Sequence, residues 1–104
     1  MARPKKLERK ELEAALQTLP NWTFTEEGRI VREFQFADFP RAFAFMTQVA
    51  LHAEKMDHHP EWLNVYNRVS VGLHTHDAQA VTSADIELAQ IMDEVAADYG
   101  VEAD

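Results

Sequence analysis

The segment from Val69 to Thr75 alternates between apolar and other side chains, and this alternation restricts the fold more than any other feature of the chain. Val69, Val71 and Leu73 point to one side of the predicted strand, whereas residues 70, 72, 74 and 76 point to the other. Such a strand covers a core with one face only. We therefore expect a sheet with its core on one side.

The other predicted elements are pairs of strands between single helices. The first helix ends at Pro20 and is followed by strands over 22–25 and 29–36. Asp38 caps a second helix over 39–53, which is followed by strands over 62–66 and 69–75 joined by a turn at 67–68. The last helix begins at Thr82 or Ser83 and ends near Gly100. The order αββαββα predicts an α+β fold, a four-stranded antiparallel sheet with helices packed on one face. A chain of 104 residues predicts a single domain, residues 1–104.

Charge and composition argue against several classes of partner. The net charge is −8, and residues 77–104 contain eight acidic residues and no Lys or Arg. Direct binding to nucleic acid requires clustered positive charge and is not expected. No apolar run approaches the roughly 20 residues of a membrane span, and the basic N-terminal segment lacks the apolar stretch of a signal peptide. A chain without cysteine has no disulfides and no thiolate metal sites. We expect a cytoplasmic protein.

All five histidines lie within one quarter of the chain, and four of them form two tight pairs. They are His52, the pair His58-His59, and the pair His74 and His76, which are two residues apart. An unperturbed imidazole has a pKa of about 6.5, so it exchanges protons near neutral pH. If the end of the 69–75 strand lies beside the 54–60 segment, three or four imidazoles line one pocket.

Three interpretations of this cluster are open on the residues alone. The histidines could be solvated surface groups, a reading that fits His52 better than the two pairs. They could bind zinc, because a His-x-His strand pair plus a third histidine provides suitable ligands. They could also perform metal-free acid–base catalysis, in which carboxylates orient and tune the imidazoles. The carboxylates available nearby are Glu54, Asp57 and Asp77.

Three separated motifs favour the third interpretation when they are taken together. They are Glu54-Lys55 followed by His58-His59-Pro60, the pair Thr75-His76, and the segment 85–89. In combination they resemble the pterin-4a-carbinolamine dehydratase family, whose animal members also act as a dimerisation cofactor of a homeodomain transcription factor. The likeness includes the phenylalanine-rich segment 34–47 and covers most of the chain from Trp22 onward.

This resemblance implies an activity, an assembly and a set of site residues. The implied reaction is dehydration of a 4a-hydroxytetrahydropterin to the quinonoid dihydropterin, without metal or organic cofactor, as a step of tetrahydrobiopterin recycling. The implied assembly is a homotetramer built as a dimer of dimers. The implied catalytic residues are His58, His59 and His76. The implied substrate-binding residues are Asp57, His58, His59, His74, Thr75, His76 and Asp77.

Within this set, we assign His58 and His76 to proton transfer and His59 to hydrogen bonding with the substrate. The chain departs from the family pattern at His74, where a smaller residue is usual, and at Ala80, where glycine is common. The first departure would crowd or re-tune the pocket, and the second would matter if that position needed positive φ. The alternative function is a protein-interaction module, with the apolar 39–53 helix as the surface for a partner protein or for another subunit.

Overall fold

The computed structural model describes residues 4–102, which form three helices and a four-stranded antiparallel sheet. The predicted fold class and element order are confirmed. The elements are α1 (Arg9–Gln17), β1 (Thr23–Phe24), β2 (Ile30–Gln35), α2 (Phe39–Met56), β3 (Glu61–Val65), β4 (Arg68–Leu73) and α3 (Ser83–Asp98). Within residues 4–102, no helix is both long enough and apolar enough to cross a membrane.

The sheet has the strand order β1-β2-β4-β3, and each neighbouring pair is antiparallel. The inward face carries the core, because alternate residues of β2 and β4 are buried beneath α2 and α3. At the centre, the Phe45 ring of α2 lies 4.8 Å from the Phe34 ring and 5.0 Å from the Phe36 ring, between centroids. The other face of β2, β4 and β3 is largely exposed.

The helix ends follow local side-chain chemistry. The Asp38 side chain accepts a hydrogen bond from the Arg41 amide and caps α2, as predicted. Thr82 caps α3, and Asp85 completes a capping box three residues later. The predicted end of α2 was too early: the helix continues to Met56, and Asp57 ends it in the left-handed conformation, with φ of 52°.

Two other predicted boundaries were wrong. The turn between β3 and β4 lies at residues 66–67 rather than 67–68, with Tyr66 at φ of 52°. Strand β4 ends at Leu73 rather than Thr75, because Thr75 instead pairs with Ala80 in an isolated bridge that closes a tight loop. In that loop Gln79, and not Ala80, has positive φ. Alanine at position 80 therefore causes no backbone strain.

Candidate active site

The turn after α2 gives the first pair of histidines different partners. The His58 amide donates to the Ala53 carbonyl at 3.1 Å, which anchors the chain just beyond the helix end. Pro60 favours extended backbone at His59, so the two rings diverge. His58 Nε2 lies 2.6 Å from Asp85 Oδ1 of α3, whereas His59 Nε2 lies 2.9 Å from Glu54 Oε1 of α2.

Asp85 is at the centre of the hydrogen-bond network around His58. Its side chain is completely buried, and its second oxygen accepts from the Thr75 hydroxyl at 2.8 Å and from the Thr82 amide at 2.9 Å. Because the single Thr75 hydroxyl proton is used for Asp85, the Thr82 hydroxyl is the donor in its 2.6 Å contact with Thr75. One carboxylate thus joins the α2–β3 turn, the 75–80 loop and the start of α3.

The pKa of His58 is raised above the ordinary histidine value. The main cause is the hydrogen bond to Asp85; partial burial opposes it, and the negative charges of Asp85 and Asp57 add to the increase. A raised pKa favours the protonated form of the imidazole. His58 is therefore suited to donate a proton.

The second pair of histidines lies just beyond β4. The centroids of the His74 and His76 rings are 6.3 Å apart, with the rings nearly perpendicular. The pKa of His74 is lowered, first by burial and then by the positive charge of Arg29. A lowered pKa keeps an imidazole neutral, so His74 is suited to accept a proton.

Three of the imidazoles face one cavity of about 390 Å³, within the size range of small-molecule sites. The residues that line it are Arg29, His59, Glu61, Gly72, His74 and His76. His59, His74 and His76 were predicted to share a pocket, and the structure brings them together. Glu61 supplies the carboxylate that lines this cavity, in place of Asp57 and Asp77.

The other predicted residues line a neighbouring cavity of about 860 Å³. They are Asp57, His58, Thr75 and Asp77. Along the 74–77 segment, consecutive residues thus face the two cavities in turn, as in an extended chain. Of the three or four imidazoles expected in one pocket, three lie together, whereas His58 turns towards Asp85 and lines the neighbouring cavity. His58 is still near enough for its charge to lower the pKa of His74.

His52 has no place in either cavity. It lies on α2 beside a separate cavity of about 920 Å³, which Leu51 and Tyr99 also line. This larger cavity contains none of the predicted catalytic or substrate-binding residues. The chemistry-bearing side chains are concentrated at the smaller cavities around the 74–77 segment.

The sequence interpretation missed three residues of the site. It read Asp85 only as a helix cap, although the residue lies in one of the motifs that carried the family resemblance. Arg29 and Glu61 gave no signal, because their meeting depends on the order and register of three strands. Within residues 4–102, no three histidine or carboxylate side chains are arranged so that they could hold a metal ion.

Known proteins resemble this chain over most of its length. Residues 5–95 match the family described as pterin 4 alpha carbinolamine dehydratase. The chain belongs to this family. A relative from Novosphingobium aromaticivorans is 56% identical over 84 residues, which are 80% of this chain and 88% of the relative. Another from Burkholderia vietnamiensis is 55% identical over 94 residues, which are 88% of this chain and 91% of the relative. Both are provisionally named pterin-4-alpha-carbinolamine dehydratases.

A solved structure supports the same membership. The crystal structure of a transcriptional coactivator/pterin dehydratase from Brucella melitensis superposes with a TM-score of 0.86. It is 47% identical in sequence, and the match covers 88% of this chain and 99% of that protein. Family membership confirms the predicted family and the predicted enzyme class, a dehydratase.

The geometry can supply both halves of an acid–base reaction. A dehydratase must protonate a leaving hydroxyl and remove a proton from the remaining molecule. His58, with its raised pKa, is an acid on one side of the 74–77 segment. His74, with its lowered pKa, is a neutral imidazole on the other side. Environments that push two pKa values apart are typical of paired catalytic groups.

Proposed function

We propose that this protein dehydrates 4a-hydroxytetrahydropterins to quinonoid dihydropterins by histidine acid–base catalysis. The observation that carries the proposal is the contact of His58 with the completely buried Asp85, at 2.6 Å, beside a cavity lined by three further imidazoles. The Asp85 carboxylate favours the protonated form of His58, and the cavity provides further imidazoles that can accept a proton. The named activity of the relatives requires both.

In the proposed reaction, the bond between C4a of the pterin and its hydroxyl oxygen breaks. Protonated His58 gives its proton to the departing hydroxyl, which leaves as water. The lone pair of N5 forms the new double bond to C4a, and the proton on N5 then passes to a neutral imidazole. We assign that acceptor role to His76, and we assign hydrogen bonding with the substrate to His59. General acid–base catalysis of this kind contributes about 10²–10⁴-fold.

Asp57, His74, Thr75 and Asp77 complete the proposed binding site. All four line one or the other of the two cavities around the proposed acid and acceptor. Thr75 acts mainly through Asp85, because its hydroxyl donates to that carboxylate. Asp57 acts on the proton of His58, since its charge helps to raise the pKa of that imidazole.

We further propose a homotetramer, a dimer of dimers, that uses α2 as one interface. Phe45 and Val49 are completely buried beneath the helix, so they belong to the core of the subunit. Phe43 and Leu51 are 54% and 67% exposed, and these are the side chains that we assign to the contact between subunits. An exposed apolar face of this kind is typical of an interaction surface.

The same surface supports a second candidate function, a protein-interaction module that binds a transcription factor. The Brucella melitensis protein is named as a transcriptional coactivator as well as a pterin dehydratase.

We place the dehydratase itself in the cytoplasm, in tetrahydrobiopterin recycling; the absence of cysteine from the chain is compatible with a reducing compartment.

The test is a matched pair of alanine variants assayed for 4a-hydroxytetrahydropterin dehydration against the spontaneous rate. His76 is exposed beyond the end of β4, so His76→Ala keeps the fold and loses at least about tenfold in turnover. His52 lies outside both cavities, so His52→Ala keeps wild-type turnover. A folded His76→Ala protein with wild-type turnover would contradict the proposed catalytic role.

A further inference from the structure

Three side chains meet on the open face of the sheet, at the wall of the 390 Å³ cavity. Arg29 precedes β2, Glu61 begins β3 and His74 follows β4. Strand β4 lies between the other two strands, with Ile30 opposite Leu73 and Glu61 opposite Gly72. Because Ile30 and Leu73 point into the core, Arg29 and His74 project to the open face.

The Arg29 side chain reaches Glu61 by crossing β4 at Gly72. The Arg29 side chain passes within 4.0 Å of the point where a Cβ atom of Gly72 would lie. Its guanidinium crosses the strand and donates to Glu61 Oε1. A Cβ atom there would be in ordinary van der Waals contact with the Arg29 side chain.

His74 shares the same carboxylate. Its Nδ1 lies 3.4 Å from Glu61 Oε1, and about three quarters of its side chain is shielded from solvent. When Nδ1 carries the hydrogen and faces a carboxylate, the other ring nitrogen, Nε2, is an unprotonated acceptor. Contacts of this kind often tighten when a ligand binds.

Building on the dehydratase function proposed above, we propose that His74 is a second proton acceptor for the substrate, with Glu61 and Arg29 as its positioning residues. Glu61 orients the ring. Arg29 neutralises Glu61, so the carboxylate does not hold a proton on the imidazole. In a turnover in which His76 does not take the proton of N5, that proton passes to Nε2 of His74 and is then released to solvent, which restores the neutral ring.

The groups around His74 support a neutral resting state. Burial and the positive charges of Arg29, His76 and His58 lower the pKa of His74, and the negative charge of Asp85 raises it. His74 therefore stays an acceptor at pH values where an imidazole with an ordinary pKa of about 6.5 is already protonated. It extends the activity towards acidic pH.

The test compares pH–rate profiles of the wild-type enzyme with those of His74→Gln and Arg29→Gln. His74→Gln should lose progressively more turnover as the pH falls, reaching at least about tenfold at pH 5.5, the low side of a general-base contribution. Arg29→Gln keeps the acceptor but exposes it to the charge of Glu61. Its acid limb should move to higher pH, and an NMR titration of His74 in this variant should give a raised pKa.

His52→Gln is the matched control, since it makes the same substitution outside the site. A His74→Gln profile that superimposes on the wild-type profile, or that is lowered equally at every pH, overturns the inference while the dehydratase function stands. An unchanged His74 pKa in Arg29→Gln overturns the role of Arg29. A wild-type protein that does not exceed the spontaneous rate overturns both the inference and the function beneath it.

Discussion

Asp85→Asn separates the electrostatic role of the buried carboxylate from its structural role. The asparagine carbonyl oxygen can still accept from the Thr75 hydroxyl and the Thr82 amide, at the positions now 2.8 Å and 2.9 Å from Asp85. Its amide nitrogen then faces His58 in place of the oxygen at 2.6 Å. One charge-assisted hydrogen bond is lost and two hydrogen bonds are kept. We therefore expect the free energy of unfolding to decrease by about 1–3 kcal/mol.

The substitution should also lower the pKa of His58 and, through it, the turnover. The hydrogen bond to Asp85 is the main cause of the raised pKa of His58, and the opposing effect of burial remains after the substitution. His58 then becomes neutral at pH 7 and accepts from the asparagine amide. We expect turnover at pH 7 to fall by about 10²-fold, on the low side of a general-acid contribution, and the alkaline limb of the pH–rate profile to move to lower pH.

Thr82→Ala is the structural control for this experiment. It removes the N-cap of α3, which costs about 0.5–2 kcal/mol, but leaves the contact between Asp85 and His58. Chemical denaturation measures both losses of stability, and a stopped-flow dehydration assay measures both pH–rate profiles. A folded Asp85→Asn enzyme with the wild-type alkaline limb would refute the reasoning. An alkaline limb that moves as far in Thr82→Ala as in Asp85→Asn would refute it too.

Three further predictions concern metal, assembly and stability. The enzyme should keep its turnover in chelator-treated buffer; stoichiometric bound zinc, with activity lost on chelation and restored by zinc, would contradict this. Light scattering should give a tetramer, and Phe43→Glu or Leu51→Glu should weaken it, while a monomeric wild-type protein at micromolar concentration would refute the proposed assembly. Because the folded-state pKa of His58 is raised, its contribution to stability is complete below about pH 6.5 and is lost as the pH rises through the folded value. In urea denaturation, the free energies of unfolding of wild type and His58→Gln should therefore differ more at pH 5.5 than at pH 9. An equal difference at both pH values would contradict this prediction.

The fold could be predicted because its signals are local. The alternation around Val69, Val71 and Leu73 identifies the buried face of β4, and Asp38 and Thr82 mark the starts of α2 and α3. Element ends were less accurate where contacts made by residues just beyond the element decide them. Strand β4 stops at Leu73 because Thr75 bonds to Ala80, Thr82 and Asp85 instead of to a neighbouring strand.

The candidate site could be predicted only in part. The motifs identified the histidines, since two pairs in so short a segment are unusual in a chain with only one other histidine. The division into two cavities could not be predicted, because it depends on the direction in which His58 and His59 diverge after α2. The contact of Arg29 with Glu61 likewise depends on β4 lying between β2 and β3.

The central claim is that one pterin reacts between His58 on one side of the 74–77 segment and the imidazoles of the other cavity. The most direct measurement is an NMR titration of histidine-labelled protein with 7,8-dihydrobiopterin, a stable relative of the quinonoid product. We predict that the resonances of His58, His59, His74 and His76 shift along one common binding curve while those of His52 stay unchanged. Shifts confined to one side of the segment, or a binding curve reported by His52 alone, would contradict the account.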